Sequence, residues 1–174
     1  MLKLNMKRFV INLSTAGIKL GYAVEASKGA GRPTTGYKQL IGVKSTPSLN
    51  PAPETLETTT LEETEWKTYI DGLKDMGGAL EFTFNLTQEL YEQWEGTNGL
   101  MEKFEAAKLA EKRVYFEIYI PDKPFKQSLF FAGNPSPMGL PETSVSSVLE
   151  TTNYITPTEA PVWATSVEPT IASE

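Results

Sequence analysis

Residues 53–85, PETLETTTLEETEWKTYIDGLKDMGGALEFTFN, decide how this chain is read. Towards their end Leu80, Phe82, Phe84 and the following Leu86 fall on every second position, with Glu81, Thr83 and Asn85 between them. That is the period of a strand with one dry and one wet face, so a strand is expected over residues 78–85. Residues 54–61 also have the pattern of a strand, but a polar one: Thr55, Thr58, Thr59 and Thr60 mix with Glu54 and Glu57, and only Leu56 and Leu61 ask for burial. A connection carrying Trp66 and a glycine-bearing turn joins the two. The residues of 54–61 fit equally an exposed edge kept soluble by charge and a piece of wall shared with other chains.

Upstream, Phe9, Ile11 and Leu13 alternate with Arg8, Val10 and Asn12, and after Gly17 the alternation resumes as Ile18, Leu20, Tyr22 and Val24, which predicts a hairpin. Residues 26–53 lose the period under Gly29, Gly31, Pro33, Gly36, Gly42, Pro47 and Pro51, and are expected as a long loop whose job is to reach another chain. Downstream, Thr87 is placed to cap a helix that carries Leu90 and Trp94 on one face. Gly96 and Gly99 interrupt it, and a second amphipathic run puts Leu100, Met101, Phe104, Ala107 and Leu109 on one side. One broken helix and two short ones fit equally. Val114, Phe116, Ile118 and Ile120 predict a strand paired with a short one over 128–132, and residues 144–155 a last long strand. Beyond Thr156, Pro157, Pro161 and Pro169 suit a flexible tail or an arm that orders on a neighbour, with Trp163 as its anchor.

At 174 residues, 40% of them hydrophobic and 10% aromatic, the chain has material for one packed core and too much for wholesale disorder. The formal net charge of -6 argues against wrapping nucleic acid through a basic surface, because such binding neutralises phosphates with Lys and Arg. Cysteine and histidine are both absent. That removes disulfides, thiolate nucleophiles, Cys-type zinc sites and the usual general base near neutral pH, so neither an enzyme nor a cofactor is expected. Lys3, Lys7 and Arg8 break up the apolar N-terminus, which reads as neither signal peptide nor membrane span and predicts a chain made in a cytoplasm.

Three motifs invite sharper readings. Gly29-Ala30-Gly31-Arg32-Pro33 lacks the Lys-Ser/Thr end of a phosphate loop and reads as a plain flexible loop. Glu62 and Glu63, adjacent on an extended segment, point to opposite faces and so do not form a hydrolytic carboxylate pair. Trp66, Tyr69, Tyr91, Trp94, Tyr115 and Tyr119 suit a stacking platform less well than core or interface packing.

Several segments taken in order carry a family resemblance. They are Tyr37-x-x-Leu40 with Pro47 beyond it, Glu57-Thr58-Thr59-Thr60-Leu61, Tyr69-Ile70-Asp71-Gly72-Leu73-Lys74-Asp75, the strand from Tyr115 to Pro121 after the helix, Pro135-Ser136-Pro137-Met138-Gly139-Leu140-Pro141-Glu142, Val148-Leu149-Glu150 and Tyr154-Ile155-Thr156-Pro157. Across residues 37–158 this series resembles the major tail protein, or tail tube protein, of long non-contractile-tailed bacteriophages.

The resemblance implies a mainly β, sandwich- or barrel-like domain with one flanking helix, whole or broken in two. One domain would span 1–156, with 26–53 as a loop or arm and 157–174 as a flexible Pro/Thr-rich tail. It implies a non-enzymatic structural protein without cofactors that forms hexameric rings, stacked into the tube through which DNA is ejected. Its partners would be copies of itself, tape measure and terminator proteins, and passing DNA bound without sequence preference, with no membrane. It would reside in the virion tail, and in the host cytoplasm during assembly. Residues 54–61, 79–85 and 144–155 would supply tube-wall strands, with Thr58, Thr59, Thr60, Thr83 and Asn85 in the wall and Glu57, Glu81 and Glu150 facing the lumen, where negative charge lets DNA slide. The competing expectation is a monomeric ligand-binding β-sandwich module, for instance one that binds carbohydrate through Trp66.

Overall fold

The computed structural model describes residues 13–50, 52–75, 78–121, 125–140 and 148–171. In chain order the elements are β1 (Lys19–Val24), β2 (Lys38–Leu40), β3 (Val43–Ser45), β4 (Ala52–Glu57), β5 (Tyr69–Asp75), β6 (Leu80–Asn85), α1 (Gln88–Trp94), α2 (Leu100–Leu109), β7 (Val114–Tyr119), β8 (Gln127–Pro135), β9 (Glu150–Pro157) and β10 (Val162–Thr165). The architecture is mainly β with a flanking helical segment, as expected, and that segment is broken in two.

Eight strands form one sheet in the order β2-β1-β7-β8-β9-β6-β3, with β10 added on β8. All its pairings are antiparallel, and it curls into a half-barrel. The two ends of that order are neighbours in the chain, because only Ile41 and Gly42 separate β2 from β3. Gly42 sits at φ 74°, a left-handed conformation that favours glycine, and its carbonyl accepts a hydrogen bond from Asn85 N–H at 2.9 Å. A Cβ there would stand 3.0 Å from the Asn85 carbonyl oxygen, so the corner that joins the edges needs this residue.

Alternation then sorts the side chains. Leu20, Phe82, Phe84, Phe116, Phe131 and Ile155 form the main core on one face of the sheet, and Leu90, Trp94 and Leu100 from the helices pack against them. The Thr87 side chain accepts from Leu90 N–H, which caps α1 as its sequence predicts. Trp94 sets its ring edge-on to Phe84 at 5.7 Å and donates its indole N–H to the Ser136 carbonyl at 3.0 Å.

Several expectations are corrected. Residues 26–53 are not a structureless loop: they hold β2 and β3, short strands at the two edges of the sheet, and bury Tyr37 and Leu40. The polar strand expected over 54–61 ends at Glu57, and the connection after it contains β5. Asp71, Gly72 and Asp75 disguise β5, since Gly and Asp are depleted in strands. Leu109, placed by its spacing on the buried side of the helix, is exposed because α2 ends with it. Strand β8 runs through Gly133, Asn134 and Pro135, which were expected to stop it, because β9 pairs with that stretch. The C-terminal segment, expected to be flexible, is tied to the sheet: β10 joins it by pairing with residues 127–130 of β8, Thr170 bridges to β2, and Ala164 and Val167 cover the face opposite the main core. That cover is why β7 is buried on both faces, Tyr115 and Glu117 included. The N-terminal half of the first hairpin up to residue 12, and residues 144–147 of the last expected strand, lie outside the described residues.

Candidate functional site

Strands β4 and β5 are inserted between β3 and β6, which pair with each other, so they form the distal half of one long hairpin. Among the described residues they pair with each other and with no other strand. Cross-strand partners share a face, so Leu56 and Ile70 stand side by side on one face, and Glu57 with Tyr69 and Thr55 with Asp71 on the other. The register shifts between Pro53 and Thr55, opposite Gly72. Leu56, Leu61, Trp66, Tyr69 and Ile70 are all exposed, Trp66 at 82%. An isolated two-stranded hairpin is marginal in water, and its two outer edges offer unpaired backbone groups. Among the described residues nothing covers this hairpin.

The threonine richness of its tip has a local cause. Thr58 N–H donates to the Thr68 carbonyl at 2.8 Å, Thr68 N–H donates to Thr59 Oγ1 at 3.1 Å, and the Thr68 hydroxyl donates to Glu63 Oε2 at 3.2 Å. Hydroxyls here satisfy backbone and carboxylate groups in a turn that has no ladder to use. Thr58, Thr59 and Thr60 therefore lie beyond the end of β4, in the loop that closes the hairpin.

The residues expected in the wall and lumen separate into two places. Glu81 pairs across to Tyr154, Thr83 to Thr152 and Asn85 to Glu150, which puts Glu81, Thr83, Asn85 and Glu150 on one face of β6 and β9. The intervening Phe82, Phe84, Thr151, Asn153 and Ile155 are buried on the opposite face. Glu150 ion-pairs with Lys44, so this face is acidic but partly neutralised. Glu57 is elsewhere, on the hairpin, where Lys67 Nζ approaches its Oε2 at 3.1 Å. The aromatic residues do not make one platform either: Trp66 and Tyr69 belong to the hairpin, and Trp94 and Tyr115 are buried in the body.

The glycine loop near Gly31 folds against buried Glu25 and is not a phosphate cradle. Its amides already serve the carboxylate of buried Glu25, which accepts from Gly31 N–H at 2.7 Å and Arg113 N–H at 3.1 Å, with the Arg113 guanidinium at 3.8 Å. Burial alone would push the Glu25 pKa up. The N–H groups of Gly31 and Arg113, the Arg113 charge and the N–H of Gly29 outweigh it and hold the pKa below its ordinary value.

A second buried carboxylate ties down the C-terminal segment. Glu117 accepts from Val167 N–H at 2.9 Å; its other oxygen has no hydrogen-bond partner among the described residues, and Ser128 lies near it outside bonding geometry. Burial raises the Glu117 pKa against the opposing pull of Val167 N–H, Ser128 and Arg32. Around it Tyr37, Tyr115 and Phe130 form a small second cluster covered by Ala164 and Val167. Arg32 stacks over Phe130, 4.2 Å from the ring centre. Sequence reading missed this site because alternation assigned Glu117 to a solvated face.

No protein-family model matches the chain, and no curated protein matches it. Solved structures do. A chain in the six-fold symmetrised cryo-EM structure of the anti-feeding prophage baseplate superposes with a TM-score of 0.56 at 11% identity, over 92% of this chain and 98% of that one. A chain in the tail of an empty GTA particle, refined with helical and C6 symmetry, superposes with a TM-score of 0.54 at 12% identity, over 88% and 99%. At these identities the likeness is one of fold, and it spans nearly the whole of each chain.

Proposed function

We propose that this chain is a structural subunit of a phage-tail-type particle and builds a tube from stacked, six-membered rings. The observation that carries the proposal is the β4–β5 hairpin: a two-stranded projection with exposed Leu56, Leu61, Trp66 and Ile70 and open edges, on a body whose own core is complete. Covering such a projection with a neighbouring copy supplies the burial and strand pairing it lacks alone. The fold supports this reading, since its structural neighbours come from six-fold symmetric tail and baseplate assemblies. A non-catalytic role fits a chain with neither histidine nor cysteine.

In this reading the face of Glu81, Thr83, Asn85 and Glu150 lines the channel, and its net negative charge keeps passing DNA from adhering. Glu57, Thr58, Thr59 and Thr60 move from wall to contact between subunits. Tape measure and terminator proteins would meet the tube inside and at its end, in the virion tail after assembly in the host cytoplasm. The purified chain, followed by light scattering and negative-stain microscopy as concentration rises, should give rings or tubes. A strictly monomeric species at all concentrations overturns the reading, and retention of that monomer on glycan columns would favour a carbohydrate-binding module instead.

A further inference from the structure

Where the N-terminal strands meet the helices, an open groove of about 650 Å³ is lined by Tyr22, Lys38, Gln93, Asn98, Lys103 and Ile171 among others. Two of these residues are basic and stand together. Lys103 Nζ lies 3.2 Å from the Tyr22 hydroxyl and 5.5 Å from the centre of its ring. Burial, and the Lys38 ammonium beside it, push the Lys103 pKa down to about 8 against a weaker upward pull from Glu102. Glu89 and Glu92 of α1 also line the groove, and Glu92 is engaged by the Gln88 amide at 2.8 Å. Among the described residues no carboxylate comes within 4 Å of either ammonium group. Two half-buried like charges that no carboxylate contacts cost stability in the free chain and return it when an anion arrives.

The chain carries a complementary surface of its own. Glu62, Glu63 and Glu65 stand at the hairpin tip beside exposed Leu61 and Trp66, and none of the three is in an ion pair among the described residues. At about 3.3 Å per residue, β4 alone carries that tip about 20 Å beyond its first residue. Gln93 and Asn98 provide amides for carboxylates, and Ile41, Ile171 and the Tyr22 ring provide apolar wall for Leu61 and Trp66.

We propose that the groove of Lys38 and Lys103 is the receptor for the acidic hairpin tip, Glu62 to Trp66, of a neighbouring copy. This rests on the assembly reading above and names the surfaces it uses. The test is charge exchange in the full chain. K38E/K103E, and separately E62K/E63K/E65K, should each raise the concentration needed for assembly by at least about tenfold, and the two sets combined in one chain should restore it. Circular dichroism and thermal unfolding confirm that each variant folds.

A second readout needs no variant. At pH 8 an amine-reactive reagent should modify Lys103 of the free chain ahead of ordinary lysines, and modification should fall about tenfold on assembly, because a bound carboxylate restores the charge. If the wild-type chain never assembles, the assembly reading falls and this contact with it. If wild type assembles and K38E/K103E does so equally well, only the contact falls. The same holds if the groove variant fails while the tip variant assembles, if the combined chain shows no recovery, or if Lys103 stays equally reactive in the assembled particle.

Discussion

Two segments leave the half-barrel, and they meet opposite fates. The C-terminal segment returns to its own sheet: β10 pairs with β8, Val167 N–H reaches Glu117, and Thr170 exchanges hydrogen bonds with Tyr37 and Gln39. Among the described residues the β4–β5 hairpin pairs only with itself, and it leaves Leu56, Trp66 and Ile70 exposed. Sequence treats the two alike, as polar extensions rich in Thr and Glu. The difference lies in what each finds on the body. The C-terminal segment meets a face of Tyr37, Tyr115 and Phe130 that must be covered, and a buried carboxylate, Glu117, that accepts from its own Val167 N–H. The hairpin meets nothing of the kind. A segment that completes its own chain is structural, and one that completes nothing at home is available to a neighbour.

Removing each segment tests this most strongly. Ending the chain at Ala160 uncovers Tyr37 and Phe130 and strands Glu117, and should cost about 3–6 kcal/mol in denaturant unfolding, the scale of exposing two large aromatic side chains. Replacing residues 54–72 by a short Asn-Gly turn should change the unfolding free energy by less than about 1 kcal/mol, because among the described residues the hairpin pairs with no strand of the body, while abolishing assembly. If the C-terminal truncation is as stable as wild type, the segment merely rests on the sheet and the contrast collapses.

A single atom probes the same docking. Pro169 packs directly over Gly21, where a Cβ would stand 2.8 Å from the proline Cγ and 2.9 Å from its Cβ. Gly21→Ala should therefore lift the C-terminal segment, destabilising the fold by about 1–3 kcal/mol. Hydrogen exchange should accelerate at Val167 and Gln39, whose N–H groups bond across that contact, and stay unchanged at Phe82. Uniform acceleration would mean that the whole sheet had loosened.

How far these features were legible in sequence follows from which forces write a local period. Strands β6 and β9 were readable because one face is dry and the alternation records it, β1 and β7 because their large apolar residues recur on every second position although both faces are covered, and Thr87, Leu90 and Trp94 announced α1 by cap and spacing. Strand β5 was hidden, since its Asp and Gly are poor strand formers and its one partner among the described residues is β4. The burial of Glu117 was illegible for another reason: the cover comes from residue 167, fifty positions away, and no local pattern reports it. The candidate site was read in part. Glu81, Thr83, Asn85 and Glu150 do share a face, but Glu57 and the three threonines belong to the hairpin, and the pairing of Lys38 with Lys103 needs the fold to bring β2 to α2.

Glu117 gives a smaller effect with a distinctive pH signature. Its pKa is raised in the fold by burial, so ionised Glu117 weighs against folding at neutral pH. As pH falls, the folded chain takes up this proton before the unfolded chain does, and the penalty is relieved by the time pH reaches the ordinary value of 4.5. Glu117→Gln keeps an acceptor for Val167 N–H and removes the charge. It should raise Tm at pH 7, and the gain over wild type should shrink as pH approaches 4.5. Taking the difference between the two chains cancels the titration of Glu25, whose lowered pKa works in the opposite sense. A Tm loss at pH 7 would mean that the bond to Val167 needs the full charge, and the C-terminal segment would then be held by electrostatics rather than by cover.

The smallest effect on stability carries the sharpest contrast. Trp66→Ala removes the largest exposed side chain of the hairpin, and with nothing packed on it the free chain should shift by no more than about 0.5 kcal/mol. Trp163→Ala is the matched control. That residue is 55% exposed but sets its ring edge-on to Phe125 at 5.7 Å, within the chain's own C-terminal contact. If hairpin and C-terminal segment differ as argued, the first substitution moves the assembly threshold and leaves Tm alone, and the second lowers Tm and leaves the threshold alone. Should both act on Tm, Trp66 has a partner within its own chain. Should both act on assembly alone, the C-terminal segment also serves a neighbour, and the distinction between a segment that completes its own chain and one offered to another would be gone.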